Sequence, residues 1–207
     1  MGKHCLQEIQ HEKAGAAGVH FALAEQGRYD EAIAHYKTAL QSQPRAIIWN
    51  NLGKSLGATG KLEEGINAFQ NALKLDPSMG DAHQNLALAL ARSGRQDESL
   101  IHFGEAVRLE SENASMHNNY AIMLGRAGRT DEAIQEFHTA LRLAPDAATT
   151  HFNLANLLVK QHAQDEAMAH YSEALRLAKA AGEDDFADSI RARIVLYKKG
   201  SPFRLSQ

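Results

Sequence analysis

From about residue 13 onward, apolar residues recur three and four positions apart in runs of roughly a dozen, and each run closes on a polar turn. Steps of three and four place side chains on one face of a helix, so the spacing predicts amphipathic helices joined by short loops. The runs themselves repeat at a period of about 34 residues. GRYDEAIAHYKTAL from Gly27, GKLEEGINAFQNAL from Gly60, GRQDESLIHFGEAV from Gly94 and GRTDEAIQEFHTAL from Gly128 are the clearest copies, and HAQDEAMAHYSEAL from His162 follows in register. Each is preceded by a half such as WNNLGKSLGATG at Trp49, HQNLALALARSG at His83, HNNYAIMLGRAG at His117 or HFNLANLLVKQH at His151.

Within the second half of each copy a small residue stands at Ala32, Gly65, Ser99, Ala133 and Ala167, and an aromatic one turn later at Tyr36, Phe69, Phe103, Phe137 and Tyr171. A second small residue follows at Ala39, Ala72, Ala106, Ala140 and Ala174. Small side chains let two helices approach, and the ring one turn on fills the gap beside the contact. Gly27, Gly60, Gly94 and Gly128 are expected to end the first helix in the left-handed conformation. Asp30, Asp97, Asp131 and Asp165 are expected to cap the second helix, and His162, which replaces the glycine, to give the fifth turn a looser or different shape.

Composition agrees with helix and narrows the chemistry. Of 207 residues 44% are hydrophobic and 23% charged, with only 4 Pro to interrupt helices. The net charge of -3 provides no basic stripe for nucleic acid. The single Cys5 rules out an internal disulfide framework and a Cys-rich zinc site. There is no membrane-spanning run, and His, Gln, Glu and Lys interrupt the N-terminal segment where a secretory signal would be apolar. Gly2 lacks the following Ser or Thr of a myristoylation signal. The expectation is a soluble, cytoplasmic chain.

The repeat resembles the tetratricopeptide repeat family over residues 13 to 181, with closing prolines at Pro44, Pro77 and Pro145 and the Trp-Leu-Gly signature at Trp49, Leu52 and Gly53. The resemblance implies an all-α fold, a right-handed α-solenoid of about five helical hairpins at 13–45, 46–79, 80–113, 114–147 and 148–181. Residues 1–12 are read as an N-terminal extension, and the first helix, with two glycines in AGAAGVHFALAEQG, as the least stable of the array. Phe186, Ile190, Ile194 and Tyr197 form one helical stripe, which predicts a C-terminal capping helix at 182–200. Gly200 and Pro202 end it and leave 201–207 as a flexible tail.

No catalytic constellation is present: the sequence has no HExxH, no CxxC, no GxSxG elbow and no Gly-rich phosphate loop. His83, His117 and His151 share one slot and His35, His102 and His170 another. Repeats stand about 8–10 Å apart, so each slot reads as a row and not a metal cluster. Neither a metal nor a cofactor is expected.

The resemblance directs attention to the groove face of the first helices. Asn51, Asn85, Asn119 and Asn153 recur at one slot, where members of the family that hold extended peptides bond the peptide backbone through an amide. Asn50, Gln84 and Asn118 fill the neighbouring slot, with Lys54 and Asn156 one turn on, and Arg92, Arg126 and Lys160 add a line of cations. The same asparagines also read as local structural groups, and the cations as a solvated edge near helix C-termini. The clamp by which one subgroup grips acidic chaperone tails is absent: Ala17 and Phe21, then Asn50, Lys54, Asn85, Ser115 and Asn119, do not reproduce its Lys, Asn and Arg pattern.

The resulting expectation is a non-catalytic scaffold that binds a protein or peptide, with no nucleic acid. Two alternatives are a regulatory repeat region of a larger enzyme, since the first-helix motifs are also similar to the repeat arm of O-linked N-acetylglucosamine transferases, and a self-assembling homo-oligomer. Replacing Ala133 with Leu is expected to overpack the helix seam and destabilise the protein by about 1–3 kcal/mol. Circular-dichroism melts check this, and an unchanged midpoint contradicts the seam.

Overall fold

The computed structural model describes residues 23–198. The extension at 1–12, most of the first helix including Ala17 and Phe21, and the Gly200, Pro202 and 201–207 tail lie outside the described residues. Among the described residues ten helices and no strand follow the end of an earlier helix at residues 23–25. They are α1 (Tyr29–Ser42), α2 (Ala46–Ala58), α3 (Leu62–Leu75), α4 (Gly80–Arg92), α5 (Gln96–Leu109), α6 (Ala114–Arg126), α7 (Thr130–Leu143), α8 (Ala148–Lys160), α9 (Gln164–Ala180) and α10 (Asp184–Lys198). Two compact units divide the chain between Leu109 and Glu110. In the first unit α2 pairs with α3 and α4 with α5, while α1 packs on α2 and α3 on α4. In the second, α6 pairs with α7 and α8 with α9, while α7 packs on α8 and α10 on α9.

The seam of each hairpin is where the small residues lie. Ala32, Ser99, Ala133 and Ala167 are fully buried, as are Ala72, Ala106, Ala140 and Ala174, and Phe103 and Tyr171 fill the space beside them at 0% exposure. At Gly65 a Cβ would meet the Gly53 carbonyl oxygen at 3.2 Å, so the backbones of α2 and α3 touch. Gly53 is itself required, because a Cβ there would lie 2.6 Å from the Phe69 ring. The other first helices carry Ala87, Ala121 and Ala155 at that slot, all fully buried. Burial is not perfectly matched: the Ser99 hydroxyl is enclosed without a hydrogen-bond partner, an arrangement that costs about 1–3 kcal/mol. In the second unit Ala187 and Ile190 of α10 are fully buried against Ala155, Tyr171, Ala174 and Ala178, with Phe186 and Ile194 packed beside them.

Six turns share one geometry. The Arg28 N–H bonds the Leu23 carbonyl at 2.9 Å and the Gly27 N–H bonds that of Ala24 at 3.0 Å, the paired bonds by which a left-handed residue closes a helix. Lys61, Arg95, Arg129, Ala163 and Glu183 repeat the first bond onto Leu56, Leu90, Leu124, Leu158 and Ala178. The glycines expected to be left-handed are so, with φ between 74° and 80°, and Gly182 joins them at 73°.

Two expectations about these turns are corrected. His162 adopts φ 59° and makes the same pair of bonds as the glycines, so the fifth turn keeps its shape and the side chain carries the strain. The acidic residues do not cap: α1, α3, α7 and α9 have Arg28, Lys61, Arg129 and Ala163 at the N-cap, and none of these side chains makes a capping bond to the helix backbone. The closing turn runs directly into the next helix, which leaves Asp30, Asp97, Asp131 and Asp165 inside the first turn, where the helix dipole favours their charge. Arg28, Arg95 and Arg129 instead clamp Glu31, Glu98 and Glu132 in bidentate contacts of 2.6–2.7 Å. These pairs are exposed and add little stability.

Because a left-handed non-glycine residue is strained by about 1–2 kcal/mol, and glycine gives back part of this in chain entropy, His162→Gly is expected to stabilise the protein by about 0.5–1 kcal/mol. Thermal unfolding should show a raised midpoint, and an unchanged or lower one would remove the strain.

Candidate functional site

First helices of neighbouring hairpins touch within each unit, α2 with α4 and α6 with α8. On the face they share, the predicted asparagines bond one another across the helices. The Asn85 Nδ2 donates to the Asn50 Oδ1 at 3.0 Å, and the Asn153 Nδ2 donates to the Asn118 Oδ1 at 3.2 Å. The ladder is therefore not a row of free amides: two of its members tie one hairpin to the preceding one. Asn50 is only 3% exposed, so its carbonyl depends on this bond. An amide carries two N–H groups and an acceptor oxygen, which leaves Asn85 and Asn153 with a donor and an acceptor beyond the pair.

A cavity opens beside each pair. In the first unit it has a volume of 250 Å³ and is lined by Asn85, Gly57, Phe69, Leu88, Lys54 and Arg92 among others. In the second it has a volume of 150 Å³ and includes Asn153, Gly125, Phe137, Asn156, Arg126 and Lys160. The slots correspond at a spacing of two hairpins, so the sequence repeat makes the cavities by one rule. Their difference in size also has a cause. Leu157 lines the second where Ala89 lines the first, and its Cδ1 would lie 3.2 Å from a Cβ on Gly125. A Cβ on Gly57 would meet nothing nearer than the Arg92 Nη1 at 4.0 Å. Both volumes fall below the roughly 300–1,000 Å³ of small-molecule sites and suit single side chains of a longer ligand.

The remaining predicted residues divide. Lys54 is exposed at the first cavity, and the Arg92 Nη1 reaches back to the Gly57 carbonyl at 3.5 Å. Arg126 rests on the Met123 sulfur at 3.9 Å, while Lys160 is exposed. The Asn156 Oδ1 accepts from the Tyr171 hydroxyl at 2.8 Å, and burial pushes that phenol up to about 12, so it stays a donor at neutral pH. Asn51 and Asn119 are half-buried and line neither cavity; the Asn119 Oδ1 takes a long 3.4 Å bond from its neighbour Asn118. Gln84 has its Oε1 buried without a partner.

Sequence reading missed how the two histidine rows meet. The His83 Nδ1 lies 3.0 Å from the His102 Nδ1, the His151 Nδ1 lies 2.9 Å from the His170 Nδ1, and the His117 Nδ1 lies 2.5 Å from the Glu136 carboxylate. The signal was present as a constant spacing of 19 residues between the paired slots. It joins two helices of one hairpin, whereas the rows run between hairpins. Among the described residues no group of three or more His, Cys, Asp or Glu stands close enough to hold a metal, and no helix is long and apolar enough to cross a membrane.

Comparison with known proteins supports the repeat reading. A family model described as the cilia and flagella-associated protein 70 C-terminal domain matches residues 8–190. A peroxisomal targeting signal receptor of Candida albicans is 39% identical over 69 residues, 33% of this chain and 11% of the receptor. The chain thus spans about a tenth of the length of that curated relative. Among solved structures, MamA from Desulfovibrio magneticus RS-1 superposes with a TM-score of 0.74 at 16% identity, over 81% of this chain and 96% of that one. YrrB, described as a TPR protein with an unusual peptide-binding site, gives a TM-score of 0.67 at 18% identity, over 84% and 90% of the two chains. At such identities the two structures share a fold.

The amide pairs separate the predicted asparagines into two kinds. Asn85→Ala strands the buried Asn50 carbonyl and is expected to destabilise the protein by about 1–3 kcal/mol. Asn51→Ala breaks no side-chain bond and is expected to stay within about 0.5 kcal/mol. Chemical denaturation of both variants checks the contrast, and equal effects contradict it.

Proposed function

This chain belongs to the tetratricopeptide-repeat family of the cilia and flagella-associated protein 70 C-terminal domain, and from that premise we propose that it is a non-catalytic scaffold that binds an extended segment of a partner protein. The observation that carries the proposal is the repeated groove, in which an amide pair, a glycine wall, an aromatic floor and a cation recur at the same slots in both units. The spare N–H and carbonyl of Asn85 and Asn153 suit the backbone of a peptide of any sequence, while the side-chain-sized cavities beside them select among residues. Lys54 and Arg92 at the first groove, and Arg126 and Lys160 at the second, steer acidic segments toward the face. The reading also accords with relatives named for receiving a targeting signal and for a peptide-binding site.

Gly57 offers a test that leaves the amide pair intact. A Cβ there meets nothing nearer than the Arg92 Nη1 at 4.0 Å and the change removes a glycine from a helix, so Gly57→Leu fills the groove without opening a cavity or touching the amide pair. Peptides selected from a random display library on the parent chain are expected to bind the variant at least about tenfold more weakly, a loss of about 1.4 kcal/mol, at unchanged helicity. Undiminished binding to Gly57→Leu places the ligand elsewhere than the α2–α4 groove, and a library that yields no binder overturns the scaffold reading.

A further inference from the structure

The three histidine contacts have the same architecture but different charge logic. In each, the first-helix histidine is anchored through Nε2 on a carbonyl of the preceding loop: Pro77 at 3.2 Å for His83, Ser111 at 3.0 Å for His117 and Pro145 at 3.0 Å for His151. A carbonyl only accepts, so Nε2 carries the proton and donates. In the neutral ring Nδ1 is then a bare acceptor. For His83 and His151 the facing group is a second imidazole, with ring centroids 5.2 and 5.1 Å apart, and the His102 and His170 Nδ1–H groups must donate to them. For His117 the facing group is the Glu136 carboxylate.

Counting protons shows what acid does to such a pair. In the neutral pair the central Nδ1–Nδ1 bond and the bond to the loop carbonyl are both made. One added proton can go to the outer Nε2 of His102 or His170 without loss of the central bond. A second can go only to the Nδ1 of His83 or His151, which would set two N–H groups and two positive charges face to face at about 3 Å. Burial, and after it the facing ring, hold His102 and His170 below the ordinary imidazole range, so even the first proton is taken up less readily in the folded chain.

We propose that His83–His102 and His151–His170 are proton-sensitive latches: in neutral conditions each closes its own hairpin and the loop before it, and in acid each is forced open. The α6–α7 hairpin, where His117 faces the Glu136 carboxylate, has no like-charge conflict: a proton gained by the His117 Nδ1 is donated to that carboxylate and adds a bond where the histidine pairs lose one. The charged groups facing the first latch are Arg95, just before α5, and Glu98 and Glu105 of α5, of which Arg95 and Glu98 bind each other and Glu105 is held by Arg108. Facing the second are Glu166 and Glu173 of α9, with Glu173 held by Arg176, and His138 of α7, whose ring lies 6.4 Å from that of His170. The acids oppose the effect and His138 adds to it.

The sign follows from linkage. A histidine held below its unfolded value binds fewer protons in the folded chain, so stability is full above about pH 6.5 and falls as the pH drops below it. Each proton that the unfolded chain binds in excess raises the unfolding constant about tenfold per pH unit. The experiment is denaturant unfolding at pH 7.5 and 5.5 of the parent and of two double variants, His102→Glu with His170→Glu, which copies the α6–α7 latch, and His102→Gln with His170→Gln, which replaces the facing ring by an amide that takes no proton. The parent is expected to lose stability over this interval by at least tenfold more in its unfolding constant than either folded variant. Imidazole nitrogen chemical shifts of the parent should show two separated protonation steps for each pair. Equal pH dependence in parent and variants, or one common step for both rings, overturns the proposal.

Discussion

The distance between the two helices of a hairpin governs most of what else the chain does. Ala133 and Ala167 are fully buried at the seam, where a side chain much larger than alanine would hold the helices apart, and where Gly65 stands the α2 and α3 backbones already touch. Such an approach leaves a gap one turn away that only a planar ring fills well, hence Phe103, Phe137 and Tyr171. With the seam fixed, the second helix brings His102, Glu136 and His170 opposite the first-helix histidines. The left-handed turn then has to be short enough to leave the seam undisturbed. That is why the residue directly after the left-handed one is the N-cap of the next helix and why the Asp residues serve the dipole and do not cap.

Steric and local features were legible before any coordinates. The small residues, the rings and the glycine turns each carry their meaning within one or two turns of chain, so the hairpins can be read from the sequence. What eluded the sequence depended on two side chains meeting at a distance. The asparagine slot was recognisable as a row, but a periodic row does not disclose that Asn85 reaches the other slot of the previous hairpin, 35 residues back. The histidine rows misled in the opposite sense: read along the stack they look isolated, and only the geometry inside a hairpin joins them. His162 shows a further limit, since residue type suggested a different turn while the hydrogen bonds of its neighbours imposed the glycine-like one.

The grooves differ as much as they agree. Amide, glycine wall and ring recur, yet Lys54 and Leu88 stand where the second groove has Ile122 and Asn156, and Leu157 narrows the space that Ala89 leaves open. The repeat thus preserves the amide pair, the glycine wall and the ring and varies the side chains beside them. Tyr171 adds rigidity to the second groove by holding the Asn156 carbonyl from the neighbouring helix.

The amide pair gives these grooves a mechanical property. Asn85 serves two partners at once: its nitrogen fastens α4 to α2 through Asn50, and its remaining groups face the cavity. Any hydrogen bond made to those remaining groups polarises the same amide and so acts on its bond to Asn50 as well. The first groove and the α2–α4 contact thus share one side chain, and neither can shift without moving the other.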